Sequence, residues 1–406
     1  MKGAVVPDIS YQRLNPPYRV LLGPGPSNIN PRVQQAMAAP IVGHLDPYFS
    51  NVMDDTVKLL QSLFRTENKL TIPISGTGSA GMEASFCNFL EPDDVVVIGV
   101  NGLFGERMVD NAQRCGAKVV PVSAEWGRVI EPEAMEFALQ SQKKVKLVAL
   151  VHAETSTGIL QPLTEVSRLA KQYESLFLVD TVTSLGGHEV AVDNWGIDIC
   201  YSGTQKCLSC PPGLAPFTAN QTALSVLEGR TRKVQSWYLD LSLISTYWSA
   251  GRFYHHTAPI CMIYALYEAL SIIAEEGLEA RVQRHLRHGA ALRAGLEAMG
   301  LTLHAQEGYR LNTLTSVRIP DGVDDLRVRQ GLLNEFDIEI GGGIGPLKGQ
   351  IWRIGLMGHS STEGNVLLLL HSLEKQLATE GYTVETGAGV TAAVQTLRRK
   401  SNSSDH

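Results

Sequence analysis

Asp180 closes the short apolar run LFLVD (176–180), and Lys206 stands 26 residues later in YSGTQK (201–206), just past a second run. A lysine amine beside a ligand aldehyde can form a Schiff base and then serve as a base, and a buried carboxylate can keep a heteroaromatic nitrogen protonated. Pyridoxal phosphate needs both, because its ring takes up the electrons released at a substrate Cα only when its nitrogen is cationic. Taken singly, each residue has an ordinary structural use: Asp180 as a turn or helix cap, Lys206 as a solvated side chain.

A phosphate needs its own cradle. SGTGSAGMEA (75–84) follows the apolar run LTIPI, and Gly76, Gly78 and Gly81 match G-x-G-x-x-G literally. A helix start with glycine-exposed amides attracts any phosphate. The dinucleotide reading also expects an acid about 20 residues further on to hold a ribose, and VIGVN (97–101) contains none. The cradle therefore suits a different phosphate better. Gly78 and Ser79 would offer an amide and a hydroxyl, Gln205 a side-chain donor beside the lysine, and Thr155 a hydroxyl from HAETSTG (152–158).

Rigid strand ends must hold these groups. Between residues 70 and 220 the runs LTIPI (70–74), VVVIGV (95–100), KVVPV (118–122), VKLVALVHAE (145–154), LFLVD (176–180), IDICYSG (197–203) and LAPFTA (214–219) alternate with helical spacing at Glu106 to Cys115, Pro132 to Gln142 and Pro162 to Tyr173. Such alternation predicts a mainly parallel, doubly wound α/β sheet with strands buried on both faces. In such sheets ligands lie beyond the carboxyl ends of the strands, where SGTGS, NGLFGE, HAETSTG, DTVTSLGG and SGTQK all fall.

A Trp/Tyr-rich connection (Trp237 to Tyr254) precedes one long helical pattern from Met262 to Met299. TLTSVRI (313–319), a helix near Leu326 to Phe336, IEIGGG (338–343), IWRIGLMG (351–358) and a last helix to about Leu377 predict a smaller α/β domain. The expected divisions are an N-terminal arm (1–22), a large domain (23–262), a small domain (263–380) and a polar, disordered tail (381–406).

Composition sets the class. The chain has 406 residues, 44% of them hydrophobic, and a net charge of −6, which offers nothing to a nucleic acid or an anionic membrane. Its apolar runs fall short of the roughly 20 residues of a spanning helix. MKGAVVPDIS lacks a secretory core and the tail does not end in Ser-Lys-Leu, so a cytoplasmic location is expected. Six cysteines do not form a disulfide framework. Cys207 and Cys210 form a C-x-x-C without a second ligand pair, so no metal is expected. His255 and His256 are adjacent and cannot share a strand or helix face.

In combination and in order, LLGPGPSN (21–28), SGTGSAGMEA, VNGLFG (100–105), HAETSTG, LVDTVTSLGG (178–187), YSGTQKCLSCPPG (201–213), YHHTAP (254–259) and RIGLMG (353–358) resemble the class V, fold-type I pyridoxal phosphate aminotransferases, most closely the alanine:glyoxylate type. The resemblance implies a seven-stranded sheet in the large domain, Lys206 as the Schiff-base lysine and Asp180 as partner of the ring nitrogen. It places Thr77, Gly78, Ser79, Thr155 and Gln205 around the cofactor and Val182 beneath its ring. Phe104 falls where relatives carry a stacking Trp. Tyr254 and Thr257 match residues that reach the neighbouring subunit's cofactor, implying a homodimer with shared active sites. Arg353 matches the arginine that binds a substrate carboxylate, and Gly341 to Gly343 a loop shaping the mouth. Gly43 to Pro47 would line the donor pocket.

The implied reaction moves an amino group from a small donor, alanine first, to glyoxylate, yielding pyruvate and glycine. Serine:glyoxylate and (S)-ureidoglycine:glyoxylate transamination stay open, since donor choice depends on a few side chains. A dinucleotide-dependent oxidoreductase is the alternative from another class. A cysteine desulfurase would need a catalytic cysteine in the small domain, and none follows Cys261.

Overall fold

The computed structural model describes residues 13–399. Residues 1–12 of the expected arm and 400–406 of the expected tail lie outside the described residues.

All seven apolar runs form one sheet: β1 (Leu70–Ser75), β2 (Val95–Val100), β3 (Lys118–Ser123), β4 (Leu147–Val151), β5 (Leu176–Asp180), β6 (Ile199–Tyr201) and β7 (Leu214–Ala219), in spatial order β1-β7-β6-β5-β4-β2-β3. β7 runs antiparallel to both its neighbours and the other pairings are parallel. Strands β4, β5, β6 and β7 are buried along their whole length. Continuous Val/Ile/Leu runs rather than alternation are what covering both faces demands. Helices Gly78–Phe89, Leu103–Arg114 and Thr164–Gln172 each leave a sheet strand or the loop behind it, so their N-termini gather at the carboxyl edge.

The predicted long helix from 262 to 299 is two helices, Ile260–Glu276 and Leu278–Ala298, separated at Gly277, whose φ of +81° a side chain would disfavour. Ile263, Leu266, Leu270 and Ile273 sit in the larger core, whereas Ala291, Leu292 and Leu296 sit in the smaller one. The division between the cores thus falls at Gly277, not at residue 262. The smaller domain carries β8 (Leu314–Arg318), β9 (Gly341–Gly342) and β10 (Ile351–Gly355) in the order β8-β10-β9. Val20–Leu21 pairs with Ile338–Glu339 and Leu22 is in the smaller core, so the end of the arm belongs to this domain.

The expected disordered tail is corrected within the described residues. Ala388–Arg399 is a helix lying along Leu278–Ala298, with Ala393 and Leu397 buried. The two helices approach closely: a Cβ on Gly295 would come 2.8 Å from the Gly389 carbonyl oxygen, and one on Gly389 would come 2.7 Å from Met299 Sδ. The small residues Ala388, Gly389, Ala392 and Ala393 of this last helix carry little hydrophobic period of their own, and its partner helix lies about a hundred residues away in sequence. Leu397→Ala is expected to cost about 2–4 kcal/mol, read as a lower midpoint in chemical denaturation. An unchanged midpoint would mean that this helix does not contribute to the smaller core.

Candidate active site

Asp180 and Tyr201 end adjacent parallel strands and face each other in register. Asp180 Oδ2 accepts a 2.7 Å hydrogen bond from the Tyr201 hydroxyl, and Oδ1 accepts one of 2.8 Å from the Val182 amide. Burial pushes the Asp180 carboxyl up to about 6, while Tyr201, Val182 and the nearby Lys206 charge act in the opposite direction. The result is a desolvated carboxylate near neutrality that would gain from a cation placed against it.

Lys206 stands past β6 and is 8% exposed. Its Nζ donates to the Pro24 carbonyl, and its backbone carbonyl accepts from Ser27 Oγ at 2.8 Å. Gly25 has φ of +106°, and a Cβ there would lie 2.6 Å from Lys206 Cδ, so only glycine lets this backbone pass across the lysine. Burial first and the Arg353 charge second lower the amine to about 8, against the opposing charges of Cys207, Asp180 and Glu154. A sizeable fraction of the amine is therefore neutral, and nucleophilic, slightly above pH 7.

The glycine cradle sits beside these groups. Helix Gly78–Phe89 begins without a side-chain cap. A Cβ on Gly78 would come 3.3 Å from Val182 Cγ2 and 3.4 Å from the Ser202 carbonyl oxygen, so helix start, Val182 and the β6 loop converge. Thr77 and Ser79 are exposed at that start. Gln205 lies against Gly203, and its Oε1 is buried with no hydrogen-bond partner among the described residues. Uncapped helix amides with the exposed Thr77 and Ser79 hydroxyls beside them, a neutralisable lysine and a buried carboxylate fit pyridoxal phosphate. Thr77, Gly78, Ser79 and Gln205 would hold its phosphate side, Asp180 its ring nitrogen and Lys206 its aldehyde carbon.

Arg353 lies on β10, 8% exposed, and is not a surface arginine. Its Nε donates to the Gly342 carbonyl at 2.8 Å and Nη1 to the Thr155 carbonyl at 3.3 Å. Nη2 makes no hydrogen bond among the described residues, which leaves a donor for a carboxylate. The glycine run expected as a mouth loop includes a strand: Gly341 pairs with Arg353 and Gly342 with Trp352, and this register aims the guanidinium. Phe104 rides on the first turn of helix Leu103–Arg114, with Arg107 Cζ 5.0 Å from its ring centroid.

Other expected contributors face outward in a single chain. Tyr254 is 62% exposed, with its hydroxyl 3.4 Å from that of Thr257. Asp46 caps helix Pro47–Phe64, and His44 packs on Tyr254 at 5.3 Å between rings, so the Gly43 to Pro47 stretch joins that outer surface. Pro24, Tyr201 and Glu154 were not picked out by the sequence, although all three lie inside motifs that were. The available signal was Tyr201 opening YSGTQK at the end of a buried run. Among the described residues no cluster of His, Cys, Asp or Glu could hold a metal, and no helix is long and apolar enough to cross a membrane.

A family model described as aminotransferase class V matches residues 27–347. The chain is 42% identical over 398 residues to an (S)-ureidoglycine–glyoxylate transaminase of Bacillus subtilis, covering 93% of this chain and 95% of that one. It is 40% identical over 375 residues to an alanine–glyoxylate aminotransferase of Callithrix jacchus, covering 91% and 90%. The solved structure of an alanine–glyoxylate aminotransferase from a Nostoc species superposes with a TM-score of 0.89 at 51% identity, covering 91% of this chain and 98% of that one.

Proposed function

Since the chain belongs to the class V aminotransferases and is a pyridoxal phosphate enzyme, we propose that it moves the amino group of L-alanine to glyoxylate, giving pyruvate and glycine. The observation that carries this reading is that Lys206 and Arg353 are both buried and close enough that the guanidinium charge depresses the amine. A small acid held by its carboxylate on Arg353 would then present its next carbon to Lys206.

When bound, the cofactor supplies an electron sink for the pair released at that carbon. Arg353 is the carboxylate anchor, its fork preset by Gly342 and Thr155. Lys206 Nζ, kept partly neutral by burial, takes the proton from the substrate Cα and can return it. Asp180, held by Tyr201 and Val182, would keep its charge toward the ring nitrogen. Val182 and Phe104 would pack on the two faces of the ring.

The dinucleotide alternative falls with the family and with the residue at the end of β2. There Asn101 spends its amide on the Arg128 carbonyl and on Gln161, and no carboxylate stands in its place.

A second copy would complete the site. Trp237, Phe253 and Tyr254 form an aromatic surface 63%, 70% and 62% exposed, more than a lone chain leaves bare without reason. Neighbouring His256 reaches Ser75 Oγ, just before the glycine cradle, at 2.7 Å, which ties that surface to the phosphate side. A homodimer sharing its active sites through Tyr254 and Thr257 fits both facts.

Serine and (S)-ureidoglycine are the competing donors, the latter supported by the likeness to the Bacillus enzyme. A screen of the three with glyoxylate as acceptor should give alanine the highest kcat/KM, and a higher value for either rival would reassign the donor. Arg353→Gln should raise KM for donor and acceptor alike and lower kcat/KM by roughly 10²-fold. Unchanged KM values would remove Arg353 from the substrate site.

A further inference from the structure

Glu154 has no assigned part in this chemistry, yet it is fully buried between the groups that have one. Its Oε2 accepts from the Phe104 amide at 3.0 Å. Its Oε1 accepts from the Ser156 amide at 3.0 Å and the Ser156 hydroxyl at 2.6 Å. Ser156 Oγ in turn accepts from the Leu103 amide at 3.0 Å. The first two amides of helix Leu103–Arg114 are thus capped across space by a loop, whereas the position that would cap them locally is Gly102. A Cβ at Gly102 would come 2.4 Å from both Glu154 Cγ and Ser156 Oγ, so the helix has given up its own cap to make room for this one.

A helix that needed only an N-terminal cap would obtain it from Ser, Thr, Asp or Asn at its own N-cap position, without burying a second carboxylate near Asp180. What the remote cap adds is a mechanical tie. Thr155 lies between Glu154 and Ser156, and its carbonyl accepts from Arg353 Nη1. Phe104, Thr155 and the Arg353 guanidinium are therefore held as one unit through a single carboxylate.

We propose that Glu154 is a positioning residue, a carboxylate clip that fixes the Phe104 ring relative to the Thr155 loop and so sets the plane in which the cofactor ring is received. This rests on the reading that Phe104 packs on that ring. Burial and the nearby Asp180 charge push the Glu154 carboxyl up to about 7, the cost of placing it there.

The test is cofactor binding by the full-length protein stripped of cofactor, read without turnover. Glu154→Gln keeps the volume, but its single carbonyl oxygen cannot serve both Ser156 and the Phe104 amide. The dissociation constant for pyridoxal phosphate should rise on the order of tenfold, and the visible circular dichroism of the bound chromophore should change, with the far-ultraviolet spectrum unaltered. In a Phe104→Ala background the same substitution should add less than about twofold, because the clip would have nothing left to position. Wild-type affinity and dichroism in E154Q, or losses that multiply in the double variant, would overturn the proposal. Should E154Q fail to fold, Ser156→Ala removes one branch of the clip and should give a smaller loss in the same direction, and no loss there overturns it equally. A wild-type protein that binds no pyridoxal phosphate would instead sink the cofactor reading on which the clip depends.

Discussion

Lys206→Ala is expected to abolish transamination while the chain keeps its fold. The side chain enters the protein along Gly25 and spends its amine on one backbone carbonyl, so truncation loses a single hydrogen bond and modest packing. In its proposed roles the substitution removes the covalent anchor and the base together, and the base alone is worth roughly 10²–10⁴-fold. Turnover should fall by at least about 10³-fold, with no visible absorbance from a lysine-bound cofactor at any pH. In the wild type that band should form faster as pH rises through about 8, because burial and Arg353 depress the amine and only its neutral form attacks an aldehyde. The measurement is stopped-flow loading across pH together with steady-state activity. A K206A protein that retains more than about a hundredth of wild-type turnover would show that another group carries the proton.

The second large effect is expected at Asp180. Asp180→Asn preserves shape, and the Tyr201 hydroxyl can turn to accept from the new amide, so stability should change little. The neutral amide cannot hold a cationic ring nitrogen, and losing that aimed charge in a desolvated site should lower kcat by roughly 10²–10³-fold. Lys206 remains, so the visible band should persist. Opposite spectra with similarly poor turnover in D180N and K206A would separate the two roles. A D180N enzyme with wild-type kcat would mean that the ring nitrogen is not held by this residue.

The placement of these two residues at strand ends was legible in the sequence because its signal is local. An apolar run long enough for a strand and too short for a helix, followed by glycine and small polar residues, identifies a buried strand end. Seven such runs specify a sheet, and its carboxyl edge specifies where Asp180, Lys206, Gly78 and Thr155 can meet.

Other features had no local signature. The division at Gly277 depends on which core each half of a continuous helical pattern enters, and the C-terminal helix is made stable by glycine contacts to a distant helix. Glu154 reads as one polar residue in a polar loop until folding buries it against Gly102 and turns both oxygens onto the Phe104 helix and Ser156. Sequence alone thus determined the strands and the places of Gly78, Asp180 and Lys206 at or just past their ends, because hydrophobic period and backbone permissiveness act between near neighbours. Tertiary structure alone decided the amine's depressed basicity, the aim of Arg353 and the Glu154 clip. Desolvation and charge coupling arise only when residues far apart in the chain are brought within a few ångströms and water is removed.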